Sequence, residues 1–580
     1  MSGQKSDLSA SKYGYDLVVA TTQDSINATM KEFLSGLDSP DFNACYQWDE
    51  NDNCIPLDYS QVLNATGGTD PFTIPDKSTD PKMKALDDLD FAFAFKATFG
   101  LAPGVAPTAI PDIITLNRGN SFVTYQLFCA TFDILVLLEA HHKVFWTNIS
   151  QPDDNPWIFR FNVNLDLRTN NDYFGKLPPS VQNKVKNLNP DSAFSVQQLY
   201  LDLNTAGLQD LPDIEGLNTS SPAYEPLKQA FIDTYWKNAK KNGDPLLGYS
   251  VQPVTPNPLQ PSIVPTDLNI EVSPNLDAQG NQTKQYGLYT LNYLVMSKEH
   301  PMPAPVQFEW NWIESSEKAD ESGVIAINRN VFVDYLKGLV NQEVGELSIE
   351  TLVDLTHSGE NFTIKYSYKT AASPQMFAPV AAPTPGADGF ASVLTLSYEH
   401  DSHDDSENSS HTSSIHGDFN YKINGDVAFK GNVMRLTLHA VAYIKFNTHE
   451  VGIDYTHLDG NYFDLTQTVT YTVDVTDTGQ LTVTKTDTAS DNSESLDWSK
   501  GGLGDLLGEL SSVKECLNNI NTKVGNTVRS AFKDYEDGLT QLITHSHAWV
   551  FPGGKTFSYK NVYFSDFQDL ITHVVYIDPT

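Results

Sequence analysis

GGLGDLLGELSSVKECLNNINTKVGNTVRSAFKDYEDGLTQLITH, the run from Gly501 to His545, decides the fold. Its apolar residues are Leu503, Leu506, Leu507, Leu510, Val513, Leu517, Ile520, Val524, Val528, Phe532, Tyr535, Leu539 and Leu542. They recur in steps of three and four, the helical period rather than the strand period. Glu509, Lys514, Asn518, Arg529 and Asp537 stand among them on the wet side. At ~1.5 Å per residue a continuous helix here would reach roughly 60 Å, several times the usual helix of about a dozen residues. Gly525 is where it would bend, because a mid-helix glycine costs about 1 kcal/mol. An apolar stripe of that length needs a trough of equal length, and a coiled coil would supply one. The rest of the chain argues for sheet instead, because it is rich in strand patterns and poor in other long helical ones.

Outward from the helix, Met434, Leu436, Leu438, Ala440, Ala442, Ile444 and Phe446 alternate along one strand face. Val469, Tyr471, Val473 and Val475 meet Leu481 and Val483 across Asp477-Thr478-Gly479, a hairpin signature. Trp157, Phe159, Phe161, Val163, Leu165 and Leu167 alternate in the same way, and Tyr286 to Met296 reads as a further strand. Shorter helical patterns occupy Tyr224 to Lys241 and Asn328 to Val340. Residues 36–84 are rich in Asn, Asp and Pro and read mostly as loop. Proline clusters at Pro253 to Pro265 and at Ser373 to Gly389 punctuate the chain.

The 580 residues suffice for two to four domains. With 37 basic and 73 acidic side chains the net charge is −36. That balance argues against nucleic acid and against anionic membrane surfaces as targets, and favours solubility. Four cysteines, Cys45, Cys54, Cys129 and Cys516, show no zinc spacing. The opening residues lack an apolar signal core, and Ile134 to Leu138 is far too short to span a bilayer. The expectation is a soluble protein without a transmembrane segment or signal peptide, cytoplasmic at synthesis or released by a non-classical route.

Sequence motifs for chemistry are incomplete. There is no G-x-S-x-G elbow, H-E-x-x-H helix or phosphate-binding loop. Gly502-Leu503-Gly504 misses the third glycine of a dinucleotide fingerprint. Asp49-Glu50-Asn51-Asp52-Asn53 starts like a calcium loop, but Cys54 replaces the required glycine and Ser60 the bidentate glutamate. Glu399 to His416 gathers His400, Asp401, His403, Asp404, Asp405, His411 and His416, and reads as a solvated hairpin tip. His141-His142 read as strand-end residues, and His545 and His547 as cations at a helix C-terminus. No nucleophile, base and orienting group assemble, so no catalytic residue, cofactor or metal is expected. An enzyme acting on an apolar small molecule stays open as an alternative.

Several short strings resemble one family. Tyr13-Gly14-Tyr15-Asp16 followed by the Ile26 to Leu34 helix is similar to the start of the 47-kDa accessory protein family of clostridial neurotoxin clusters and the related OrfX proteins. Tyr15 stands where that family usually has Trp. Gln198 to Leu203, Leu291 to Leu294, Ala326 to Phe332 and Trp549 to Gly553 also resemble it. The resemblance implies an α+β, TULIP-type fold, in which curved antiparallel sheets wrap long amphipathic helices. Two sheet–helix units are expected, 1–380 and 385–580, the second carrying the long helix 503–545. It further implies a lipid or other apolar ligand held along Leu503, Leu506, Leu507, Leu510, Val513 and Leu517, and protein partners in a toxin-like complex. The family brings no catalytic residues to transfer. The alternative is a protein-interaction or structural component of an assembly.

Overall fold

The computed structural model describes residues 3–35, 41–75, 81–116, 122–140, 143–169, 194–201, 213–221, 223–225, 227–228, 246–253, 265–498, 506–544, 549–550 and 556–577. Over these residues the protein is mostly antiparallel sheet with few helices. Most of the Tyr224 to Lys241 helical pattern, the prolines at 254–264, His141-His142, His545 and His547 lie outside them.

Both ends of the chain enter one six-stranded antiparallel sheet. Its order is Pro265–Ser273, Thr290–Ser297, Leu17–Thr22, Gly323–Ile327, Leu570–Ile577 and Thr556–Phe564. Every residue of Leu17–Thr22 and of Thr290–Ser297 is buried. Leu17, Val19, Tyr293 and Val295 join the main core. Val18, Ala20, Leu294 and Met296 face a second layer containing Tyr13, Tyr15, Phe308, Trp310 and Trp312. A strand covered on both faces reads as an apolar run without alternation.

An eleven-stranded sheet is built from ten strands of the N-terminal half and, at one edge, Trp549–Val550. Phe122–Ala140 is its spine, pairing with Ile158–Thr169 near its start and with Phe91–Phe99 and Lys143–Ser150 farther along. The loop expected over 36–84 is corrected here. Strands Asp41–Trp48 and Cys54–Leu57 and helix Tyr59–Ala65 lie within it, and helix Pro81–Asp87 begins in it. Its Asp and Asn residues serve as caps and turns between short elements: Asp58 caps Tyr59–Ala65 in a capping box with Gln61. Asp49 holds a tight turn through the Asn51 and Asn53 amides, both at 2.8 Å.

The C-terminal half is built on a meander of Ala378–Pro379, Ala391–Glu407, Ser413–Lys430, Val433–Glu450, Ile453–Val475 and Leu481–Asp491. Two of these strands have 18 residues and one has 23, against a usual length of about five or six. Met434, Leu436, Leu438, Ala440, Ala442, Ile444 and Phe446 are all buried on one face, as their alternation requires. Val473 pairs with Val483 and Val475 with Leu481, across a turn whose Gly479 has φ +73°. The helix Arg329–Val344, capped by Asn328, turns Val331, Phe332, Leu336 and Val340 inward.

The long helix is broken rather than continuous. Leu506–Ile520 is α-helical, Asn521–Gly525 is a π-turn around the anticipated glycine, and Asn526–Ser530 returns to α. After a gap, Glu536–Thr544 forms a last helix. At Ala531 the backbone turns extended, with ψ 139°, and Phe532 takes φ +66°. A phenylalanine in that region costs on the order of 1 kcal/mol or more. Partners from elsewhere hold it. Glu343 Oε2 accepts from Phe532 N at 3.0 Å, and Glu343 Oε1 from the Tyr535 hydroxyl at 2.7 Å. The Tyr471 hydroxyl donates to Phe532 O at 2.5 Å and accepts from Tyr535 N at 3.2 Å. The apolar stripe survives the break: Leu510, Val513, Leu517, Ile520, Val524, Val528, Phe532, Leu539 and Leu542 are all buried.

Candidate functional site

The stripe's surroundings define the site. Leu506–Ile520 packs on Asn361–Thr370, the second strand of the hairpin Ile349–Ser358/Asn361–Thr370. Ser512 Oγ donates to Ile364 O at 3.2 Å. Asn526–Ser530 and Glu536–Thr544 pack on Ile453–Val475 and Leu481–Asp491, respectively. Arg529 pairs with Asp491 at 3.4 Å, Lys533 with Asp487 at 3.1 Å and Lys485 with Glu536 at 2.9 Å. These pairs are partly exposed and contribute little individually; they fix which side of the helix faces out.

The hairpin is attached to the long-strand sheet through side chains. Tyr398 OH donates to Ile349 O at 3.0 Å, and His400 Nδ1 accepts from Thr351 N at 3.1 Å. Ser402 Oγ accepts from Val353 N at 2.8 Å, Asp404 Oδ2 from Leu355 N at 2.7 Å, and Ser406 Oγ meets His357 Nδ1 at 3.3 Å. Each pair is 49 residues apart, so alternate side chains of one strand serve alternate positions of the other. This corrects the hairpin-tip reading of Glu399 to His416: the tip is confined to 408–412, and the polar residues before it replace a backbone ladder. On the outer face His416 lies between Asp405 at 2.7 Å and Asp418 at 3.0 Å. Burial works against charge on His416, and the two carboxylates outweigh it, raising its pKa.

Of the residues expected to line a ligand, Leu510, Val513 and Leu517 are 4%, 0% and 0% exposed. They share one continuous core with Ile364, Tyr366 and Phe419. Leu503 lies outside the described residues, as do the side chains of Leu506 and Leu507. An open cleft of ≈480 Å³ occurs elsewhere, beside the first helix, lined by Asp24, Asn27, Ala28, Lys31, Pro107, Thr108 and Asp112. Its polar groups are engaged: Lys31 Nζ reaches Ile110 O at 3.0 Å and Asp112 Oδ1 at 3.3 Å, and Asn27 Nδ2 reaches Ile114 O at 2.8 Å.

Chemistry-bearing groups do meet in places that the sequence does not bring together. Ser297 Oγ at 2.7 Å and His300 Nδ1 at 3.0 Å both meet Asp16 Oδ2. With the carboxylate in the middle, the serine has no base in this contact, so the arrangement is a turn clamp rather than a catalytic triad. Asp569 accepts from Ser6 Oγ at 2.8 Å, Leu8 N at 2.7 Å and Arg329 N at 2.9 Å; burial pushes its pKa up to about 7 despite those bonds. Glu271, paired with Ser273 and Asn292, is likewise pushed up to about 7 by burial. Glu317, Glu321 and His573 converge although the histidine is some 250 positions away in the chain. No local sequence signal could have found that set. All four cysteines are free thiols.

No family model matches the chain, and no curated protein matches it. Among solved structures, the crystal structure of P47 of Clostridium botulinum E1 is similar at TM-score 0.41 and 9% identity, covering 97% of this chain and 98% of that one. The crystal structure of lipopolysaccharide binding protein is similar at TM-score 0.26 and 10% identity, covering 97% of this chain and 99% of that one.

Proposed function

We propose that this protein is a non-enzymatic binder of lipid or another apolar molecule, organised as a TULIP-type tube of sheet around the broken helical stretch Leu506–Thr544. The ligand lies at the N-terminal end of that stretch, along Leu503 to Leu517. One observation carries this reading: the first helical piece, Leu506–Ile520, turns the buried Leu510, Val513 and Leu517 onto a hairpin that is itself tied to the long-strand sheet by polar side chains. A wall attached by such contacts separates from the sheet more readily than a backbone-paired strand. In this reading 1–380 and 385–580 are the two sheet–helix units, sharing the six-stranded sheet. Among the described residues no helix is long and apolar enough to cross a membrane.

Native mass spectrometry of the purified protein, before and after organic extraction, tests the reading. A mass excess that extraction removes is expected. Identical masses in the two states would contradict it.

A second reading, a protein-docking component of a toxin-like assembly, is favoured by the hairpin tip at 450–454. There Val451 is 84% and Ile453 56% exposed, and Val451 holds φ +45°. A β-branched residue strained in that region to display an apolar side chain is unusual for a solvent-facing turn.

A further inference from the structure

We propose that Glu317, Glu321 and His573 form a binding site for a divalent zinc ion, at the partly exposed junction of the turn-rich segment 314–322 and the strand Leu570–Ile577. Glu317 closes one turn and opens the next, its amide donating to Glu314 O and its carbonyl accepting from Asp320 N, and Glu321 follows directly after them. Ser322 N donates to Val574 O at 2.8 Å, and Val324 pairs with His573, which seats the segment beside the histidine. One donor atom from each of the three residues lies within 4.8 Å of the others. His573 Nδ1 already contacts the Glu321 carboxylate, with the two side chains 1% and 11% exposed.

The donor set selects the ion. Two carboxylates carry two negative charges, which a divalent cation neutralises. Tetrahedral zinc with ligands at about 2.1 Å places donor atoms roughly 3.4 Å apart; the three donors lie within 4.8 Å of one another, and the closer His573–Glu321 contact opens to admit the ion. Calcium and magnesium favour all-oxygen shells, and the imidazole nitrogen counts against them. His573 also has the support a metal-bound imidazole needs. Its Nε2 lies 3.1 Å from the buried Tyr563 hydroxyl. For zinc to bind, Nδ1 gives up the proton it donates to Glu321; with Nε2 protonated and donating to the Tyr563 hydroxyl, Nδ1 then offers its lone pair to the ion. Water fills the fourth position. The ion fastens the 314–322 segment to the last strand of the sheet that joins the two chain ends.

Zinc chloride is titrated into full-length protein stripped with chelator, with calorimetry giving stoichiometry and affinity and thermal melting run alongside. The wild type is expected to take up one zinc per chain and to melt higher in its presence. Glu321→Gln, and Glu317→Gln should the first variant fold poorly, are expected to abolish both effects. Tyr563→Phe, which removes only the partner of Nε2, is expected to weaken zinc roughly tenfold. His403→Ala with His411→Ala, on the outer face and at the tip of the long-strand hairpin, is expected to change nothing. The assignment is overturned if stripped wild type takes up no zinc. It is equally overturned if uptake persists in folded Glu317→Gln or Glu321→Gln, or disappears in the His403/His411 variant.

Discussion

Val451 and Phe532 hold positive φ for different reasons, and the surroundings separate them. Phe532 is fully buried, with its neighbours' hydrogen bonds arranged around it. Val451 is exposed, its backbone amide donating to Thr412 O at 3.0 Å. Val451→Asn keeps the turn and removes the strain, because asparagine tolerates the left-handed region. It should raise stability by about 0.5–1 kcal/mol, read as an upward shift in melting temperature. A fall would mean that the valine packs against something. Glu271 supplies a pH test. Burial raises its folded pKa to about 7, above the ordinary glutamate value of 4.5. Between those values the folded protein keeps a proton that the unfolded chain releases. The stability it contributes is therefore full below about 4.5 and is lost as pH rises through about 7. Glu271→Gln stays neutral throughout, so its melting advantage over wild type should be larger at pH 8 than at pH 5. An equal difference at both values would mean that Glu271 is ionised in the folded protein across the range. None of this was legible in sequence, since burial of Glu271 and the conformation of Val451 depend on strand pairing.

The amphipathic helix is the element sequence reads best, because period-3.6 burial is a local property. All nine stripe residues from Leu510 to Leu542 named above are buried as that pattern demands. Its interruption was not legible: the groups that satisfy the broken backbone are Tyr471 and Glu343, which lie 61 and 189 residues from Phe532. The alternating strand Val433–Glu450 was legible for the same reason as the helix. The polar segment before 408 was not, because Ser402 and Asp404 look like solvent-facing residues until Ile349–Ser358 is brought alongside. Removing one rung leaves a backbone N–H at a partly buried site without its acceptor, at a cost of about 1–3 kcal/mol. Ser402→Ala should therefore lower the melting temperature, whereas His403→Ala, on the exposed face, should leave it unchanged. Equal effects would show that the ladder does not hold the hairpin.

Across the whole molecule, β-richness was legible and connectivity was not. Strand patterns say that a segment pairs, and they leave open with what. The six-stranded sheet pairs Leu17–Thr22 with Thr290–Ser297 and Gly323–Ile327, and brings Leu570–Ile577 one strand farther out. The Glu317–Glu321–His573 set exists only because of that closure. The lipid-tube reading also belongs to this scale, since it depends on whether the space between helix, hairpin and long-strand sheet is filled by protein or by ligand. The most direct test is the melting temperature of Leu510→Ala, Val513→Ala and Leu517→Ala, set against Val524→Ala, Val528→Ala and Leu539→Ala, before and after organic extraction. A buried Leu→Ala change in solid core costs about 2–5 kcal/mol, whereas a flexible chain lying against the site fills the deleted volume, and bound ligand adds stability by mass action. Small losses are expected at 510, 513 and 517 that grow once ligand is extracted, with large and extraction-insensitive losses at 524, 528 and 539. Uniformly large losses that extraction does not alter would contradict the lipid-tube reading.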